Sequence, residues 1–259
     1  MLLFVHTLYV KTTLIHLTAA GLPPLTLVHL TDLHGRTRYL NGSLHRLVNR
    51  WEPDIVFCTG DLAQHRGQLP RVMQEIAKIR AQHGFCFVPG NYERQEARGW
   101  KKRAYTAEEY ASCKEQWQAK MTVLENKEVF FDIGDARIRV YGFDNSTYGN
   151  ERYEPDKEEK AKRTYWTVLL AHSPNIISFI REKGIQGDLL LTGHTHGGQI
   201  RVVRRTFGAY KHFHIGPKQD REVGVFSISR GLGTSRLPFR LNCFPEVTVY
   251  LLNQPQRPG

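Results

Sequence analysis

The hydrophobic pattern of the first hundred residues repeats one unit three times: a short apolar run, a polar turn, then an amphipathic stretch. Leu25-Thr26-Leu27-Val28-His29-Leu30 leads into Thr31-Asp32-Leu33-His34, and Asp54-Ile55-Val56-Phe57-Cys58 leads into Thr59-Gly60-Asp61. The third run, 84–88, leads into Pro89-Gly90-Asn91-Tyr92. Short apolar runs bounded by turn formers predict buried strands. Between them, helices are predicted over 42–50 and over 70–82, where Val72, Met73, Ile76 and Ile79 form an apolar stripe. Strands alternating with helices predict parallel pairing, and ligands of such sheets bind beyond the carboxyl ends of the strands. All three polar turns would then share one edge.

Farther along, Thr106 and Glu109 have the spacing of a capping box and open a helix predicted over 106–124. Residues 145–163 are charged without apolar periodicity and predict an exposed loop or lid. Strand-like runs return at 166–171, ending on His172, and at 188–191, ending on Thr192-Gly193-His194. They continue at 199–203, 223–228 and 247–252, and residues 9–17 also alternate like a strand. No repeat, low-complexity tract or linker interrupts this series, so a single domain over 1–259 with its core at about 25–252 is expected.

Composition narrows the chemistry. The four cysteines are scattered without a CxxC pair, which argues against a disulfide scaffold or a zinc ribbon. Cys58 and Cys86 read as small buried residues in strands, and a reducing, cytoplasmic location is expected. A formal charge of +11 and a pI near 9.6 point to an anionic partner: a phosphorylated metabolite, a nucleic acid or an anionic membrane surface. The apolar start, Met1 to Val5, is cut short by His6 and Lys11 and is too brief to span a bilayer. Peripheral contact with the cytoplasmic face of a membrane stays compatible with the charge, and no obligate protein partner is implied.

Five polar motifs follow apolar runs: Asp32-x-His34, Gly60-Asp61, Gly90-Asn91, His172 and Gly193-His194-x-His196. In extended backbone, residues two apart point to the same side, so Asp32 with His34, and His194 with His196, would each grip one ion. Mixed imidazole and carboxylate ligands suit borderline first-row ions better than calcium, and the lack of thiolates disfavours a structural zinc site. One carboxylate can bridge two cations, and Asp61 is the candidate bridge.

In composition and order these motifs resemble the calcineurin-like metallophosphoesterases, over roughly residues 25–252. The tract from Gly193 through His196 to Ile200, with Arg230-Gly231-Leu232-Gly233 and Leu237-Pro238-Phe239-Arg240, resembles the bacterial subgroup containing YkuE, YaeI and LpxG. The resemblance implies an α+β fold, a four-layer αββα sandwich with a dinuclear centre at one end. It places one divalent ion on Asp32, His34, Asp61 and His196, and the other on Asp61, Asn91, His172 and His194. Manganese is expected first, with iron or zinc as alternatives. A metal-bound hydroxide would attack phosphorus in line, with Asp61, Asn91, Tyr92 and His194 as the catalytic residues. The substrate would be phosphorylated, in nucleotide- or lipid-linked form. A nuclease of the same superfamily, acting on DNA or RNA, and a metal-binding module with little activity are the alternatives.

One departure is informative. Where the family has Gly-Asn-His, this chain has Gly90-Asn91-Tyr92. A phenol with an ordinary pKa near 10 stays neutral, so Tyr92 can donate a hydrogen bond but cannot supply positive charge. A preference for diesters or pyrophosphate links over dianionic monoesters is therefore expected. Gly35 stands where the subgroup has leucine, leaving room for Arg36 or Arg38 to approach a phosphate. Tyr92, Trp100, Tyr105 and Tyr110, interleaved with Arg94, Arg98 and residues 101–103, offer a basic aromatic wall or, more commonly, half-buried packing. His29, His65, His212 and His214 read as structural or surface histidines.

Overall fold

A computed structural model describes residues 1–99, 101–155, 165–202, 205–206 and 211–255. Two six-stranded sheets dominate it. In the first, Lys11–Leu17 pairs in parallel with Glu246–Leu252, which runs antiparallel to Leu25–Leu30; then follow, all parallel, Ile55–Cys58, Gly84–Phe87 and Thr122–Val123. The second starts with the antiparallel pair Lys127–Ile133 and Ala136–Gly142. It continues in parallel through Trp166–Leu170, Leu189–Thr192 and Gly224–Ile228, and ends on antiparallel Gly216–Asp220.

The sheets pack face to face, with helices outside each, which makes the four layers expected. Alternation along the strands explains how. Leu27, Ile55, Phe57 and Cys86 point inward to meet Val140, Val168, Leu170 and Leu191 of the other sheet. Val28, Val56, Phe85 and Phe87 point outward onto the helices Leu44–Asn49, Leu69–Ile76 and Ala107–Gln118. The second sheet's outer face buries Tyr141, Leu169 and Leu190 against Ile176–Lys183. A central strand covered on both faces must be apolar at every position, which is why these runs read as continuous.

Several boundaries move. The helix predicted to reach residue 82 ends at Ile76, where tighter turns follow and Asn49 captures the Lys78 carbonyl and the Arg80 amide. The helix predicted to reach 124 ends at Gln118, so that residues 122–123 can join the sheet edge; its Thr106–Glu109 capping box forms as expected. The predicted strand at 199–203 is only Arg201–Val202, with residue 203 outside the described residues. The segment 145–155 has no regular structure, as expected, but Asn145 and Ser146 are buried rather than exposed, and 156–163 lie outside the described residues. The hairpin of 127–133 with 136–142 and the short helix Leu2–Leu8 carried no signal strong enough to predict. All four cysteines are buried and free. No helix among the described residues is long and apolar enough to cross a membrane.

The outer core against the first sheet centres on Trp117, which is buried and packs edge-on against Phe87 and Tyr110 with ring centroids 5.5 and 5.6 Å away. Trp117→Ala should lower folding stability by about 3–5 kcal/mol in chemical denaturation. Leu14→Ala, at a half-exposed edge position, should cost less than about 1 kcal/mol.

Candidate metal centre

The carboxyl ends of the five parallel strands bring all seven sequence-predicted ligands to one edge. Asp32 and His34 follow Leu25–Leu30, Asp61 follows Ile55–Cys58, and Asn91 follows Gly84–Phe87. From the second sheet, His172 follows Trp166–Leu170, and His194 and His196 follow Leu189–Thr192. Ligand atoms converge in two groups, Asp32 with His34 and His196, and Asp61 with His172 and His194, each within 4.8 Å. Asn91 joins the second group, its Oδ1 3.2 Å from His172 Nε2. Asp61 Oδ2 lies 3.5 Å from His34 Nε2 of one group and 3.5 Å from His172 Nε2 of the other.

The backbone route to this geometry differs from the extended one expected. Asp32, His34, Asp61, His194 and His196 all adopt left-handed φ, between 47° and 67°. Such φ values are strained for residues with a Cβ and cluster at functional sites. As a result, the His194–His196 pair is split: His196 Nε2 faces His34 Nε2 at 3.1 Å, while His194 Nδ1 faces His172 Nε2 at 2.9 Å. Glycine serves one close approach here. A Cβ on Gly90 would stand 2.5 Å from Asp61 Oδ1 and 2.7 Å from His172 Nδ1.

The fit to cations can be read from the unsatisfied atoms. Asp32 Oδ2 accepts from Thr31 Oγ1 and the His194 amide, both at 2.9 Å, but Oδ1 is buried and accepts nothing. That oxygen faces His196 Nε2 at 3.4 Å and His34 Nε2 at 3.8 Å. His172 Nδ1 donates to the Thr59 carbonyl at 2.7 Å, which leaves the Nε2 lone pair for the site. Burial holds His34 and His196 well below the ordinary imidazole range, and burial with the His172 ring beside it takes His194 to about 3. These rings are therefore neutral, the state a metal requires. Burial, reinforced by Asp32, raises Asp61 well above the carboxylate range. Two buried carboxyl groups beside these imidazoles lack positive charge, which divalent ions would supply.

A model of the calcineurin-like phosphoesterase family matches residues 25–198. This chain belongs to that family. It is 30% identical to the uncharacterized protein YpbG of Bacillus subtilis, over 91% of this chain and 84% of YpbG. It is 28% identical to the phosphodiesterase YaeI of Escherichia coli, over 87% and 81%. Among solved structures, the NAD nucleotidase of Haemophilus influenzae superposes with a TM-score of 0.52 at 14% identity, covering 81% of this chain and 46% of that one, a likeness of fold alone. Family membership and the two ligand groups together support a metal-dependent phosphoesterase of the bacterial subgroup.

Three residues of this metallophosphoesterase escaped the sequence reading as parts of the site. Glu93 is buried, and its carboxylate accepts the amides of Asp61 (2.7 Å), Leu62 (2.8 Å) and Gly90 (2.7 Å), so it clamps the Asp61 turn to the Asn91 turn. Burial and the neighbouring Asp61 push its carboxyl up to about 7. Lys102, in a hairpin of Gln95–Arg98 with Lys101–Ala104, sets its ammonium 4.7 Å from the centre of the Tyr92 ring and lines the cavity with Asp61, Asn91 and His194. Arg240, fully buried, donates to the carbonyls of Gly233 and Arg230, both at 2.8 Å, and packs beside His196. Its place in Leu237-Pro238-Phe239-Arg240 marked it as a motif residue; Glu93 offered only its i, i+3 spacing from Gly90, and Lys102 had no local pattern.

The basic aromatic wall is otherwise internal structure. Arg94 pairs with Asp144 and Glu125, Arg103 pairs with Glu96 and Glu109, and Tyr105 and Tyr110 pack on the core; Trp100 lies outside the described residues. His29 is a buried structural histidine bonded to Thr59 at 2.8 Å, with burial lowering it to about 3, and His65 is exposed.

Removing the Glu93 clamp strands three buried amides, each costing on the order of 1–3 kcal/mol. Glu93→Ala should therefore lose both folding stability and bound metal, measured by denaturation and by elemental analysis. Glu93→Gln, which keeps an acceptor for two of the three amides, should fall between Ala and wild type.

Proposed function

We propose that the protein hydrolyses a phosphodiester or pyrophosphate bond with two divalent cations, manganese first, iron or zinc as alternatives. The observation that carries this reading is the Asp61 carboxylate standing at equal distance between the two ligand groups. One ion would be held by Asp32, His34, Asp61 and His196, the other by Asp61, Asn91, His172 and His194. Bound there, the ions supply Lewis-acid charge for the phosphoryl oxygens and lower the pKa of an attacking water.

The protein's own groups do the rest. Tyr92 donates its backbone amide to Asp61 Oδ1 at 2.8 Å and so orients the bridge. Its ring stands edge-on to His34, with centroids 4.9 Å apart. Burial raises the phenol above its ordinary value, so the hydroxyl stays a neutral donor toward a phosphoryl or leaving oxygen. Lys102 brings back one positive charge on a flexible stem, which amends the expectation drawn from Tyr92 alone. The site carries a cation, but as a mobile point charge rather than a ring fixed in the motif. A singly charged phosphoryl group fits that balance better than a dianion.

Two further features favour a substituent on each side of phosphorus. The central cavity, of about 410 Å³, adjoins a second one reaching Ala97 and Lys101. It also adjoins a third that runs along Asn145 to Tyr148. The name of the relative YaeI, a phosphodiesterase, points the same way. The buried, free cysteines accord with a reaction in the cytoplasm, on a nucleotide- or lipid-linked phosphate, with contact to the cytoplasmic membrane face as a compatible arrangement.

With Mn²⁺, bis-p-nitrophenyl phosphate should turn over faster than p-nitrophenyl phosphate; the reverse order would reject the diester reading. Asp61→Ala should abolish both ion uptake and hydrolysis. Lys102→Ala should lower kcat/KM for the diester by about ten-fold, the loss of a single charged contact. Metal bound without turnover of either ester, and no gain from Tyr92→His, would support the catalytically silent module instead.

A further inference from the structure

Beside the metal centre lies a cavity of about 430 Å³ that shares His34 with it and that the reading above does not use. Arg36, Arg71 and Arg236 line it, with Gln64 and Gln68. No acidic side chain is among its lining residues, and none of the three arginines has a carboxylate partner among the described residues. The contrast with Arg94, Arg103, Arg139 and Arg181, each paired with a carboxylate, is sharp.

The arginines are also placed rather than loose. Arg71 donates Nη2 to the Gly35 carbonyl at 2.6 Å, which ties its fork to the turn that follows His34. Arg36 is half-buried beside Gly35. Gly35 has φ +81°, and a Cβ there would run into the Gln68 side chain, whose Oε1 accepts the Gln64 amide at 2.9 Å. Arg236 holds a left-handed φ of 62°, and it lines this cavity, the metal-centre cavity and the one beyond Lys102. It is thus the shared wall between the scissile position and the arginine cavity.

Three guanidinium groups gathered without counter-charge repel one another, and their planar forks match the oxygens of a phosphate. We propose that this cavity binds the second phosphate of a pyrophosphate diester whose first phosphorus lies at the metal pair. The inference rests on the phosphoesterase reading and narrows it: the substrate class is one with two adjacent phosphates, each singly charged, rather than an isolated diester. The scissile bond is then the bridging P–O bond. Water adds its oxygen to the phosphorus that faces Asp61 and Asn91 and gives up a proton to solvent, the bridging P–O bond breaks, and the leaving group is the phosphomonoester held by the arginines.

The test is a matched pair, P1,P2-bis(p-nitrophenyl) pyrophosphate followed by phosphorus NMR and bis-p-nitrophenyl phosphate followed by colour, both with the Mn²⁺-loaded full chain. Arg36→Ala and Arg71→Ala should each raise KM for the pyrophosphate by about ten-fold, the loss of one charged contact, and leave bis-p-nitrophenyl phosphate within about two-fold of wild type. Activity on the single-phosphorus ester reports folding and metal loading in the same sample. Equal effects on both substrates, or none on the pyrophosphate, overturn the second-phosphate site, as does wild-type turnover of the diester with no turnover of the pyrophosphate. So does a selective loss on a single-stranded oligonucleotide with the pyrophosphate unaffected. If wild type turns over neither compound, it is the phosphoesterase reading that fails.

Discussion

Everything at this site depends on burying a carboxylate that has no cation of its own. Asp61 is almost wholly removed from water, a short distance from Asp32, and surrounded by imidazoles that burial keeps neutral. Desolvating two carboxylates is costly unless positive charge is brought to them. No lysine or arginine pairs with either among the described residues. The arrangement makes sense as a set of candidate metal ligands, in which bound cations would provide the missing charge.

Holding such a set together is expensive in backbone terms, and the fold meets the cost in several places. The left-handed ligands lie in turns at the ends of strands whose two faces are packed, so the turns are short and their entry points are rigid. The turns are laced to one another as well as to their strands: the amides of Asp32 and His34 donate to the carbonyls of Gly60 and Asp61, and Glu93 binds the Asp61 turn to the Gly90 turn. From the far side, Arg240 ties the 230–233 turn to the region of His196, mainly through bonds to carbonyls. Strain at one ligand is thereby opposed by hydrogen bonds to several others.

Charge around the centre is graded. Closest to it the groups are neutral or negative; Lys102 stands at the rim, and the unpaired arginines line the adjoining cavity. An anion entering from that side meets the arginines and Lys102 before it reaches the ligand groups. The same gradient accounts for part of the net charge of +11, although many arginines elsewhere are consumed by internal ion pairs.

Continuous apolar runs in strands covered on both faces, the punctuating Gly-Asp and Gly-Asn turns, and the spacing of the histidine motifs were enough to specify the strand–helix order, the two-sheet sandwich by resemblance, and seven candidate ligands that the fold brings to one edge. Those features are local or ordered along the chain, so they survive in one dimension. Glu93, Lys102 and the division of His194 from His196 were not legible in that way. Besides the nearby Gly90 amide, Glu93 acts through two amides about thirty residues away, Lys102 reaches Tyr92 only because a hairpin folds back in one register, and the histidine pair separates because its backbone turns left-handed. Likewise, only the neighbouring Gly35 drew notice to Arg36, and nothing in the sequence distinguishes Arg71 and Arg236 from arginines that find a carboxylate. Pairing depends on which surfaces the packed sheets bring together, and that is decided by tertiary contact rather than by composition.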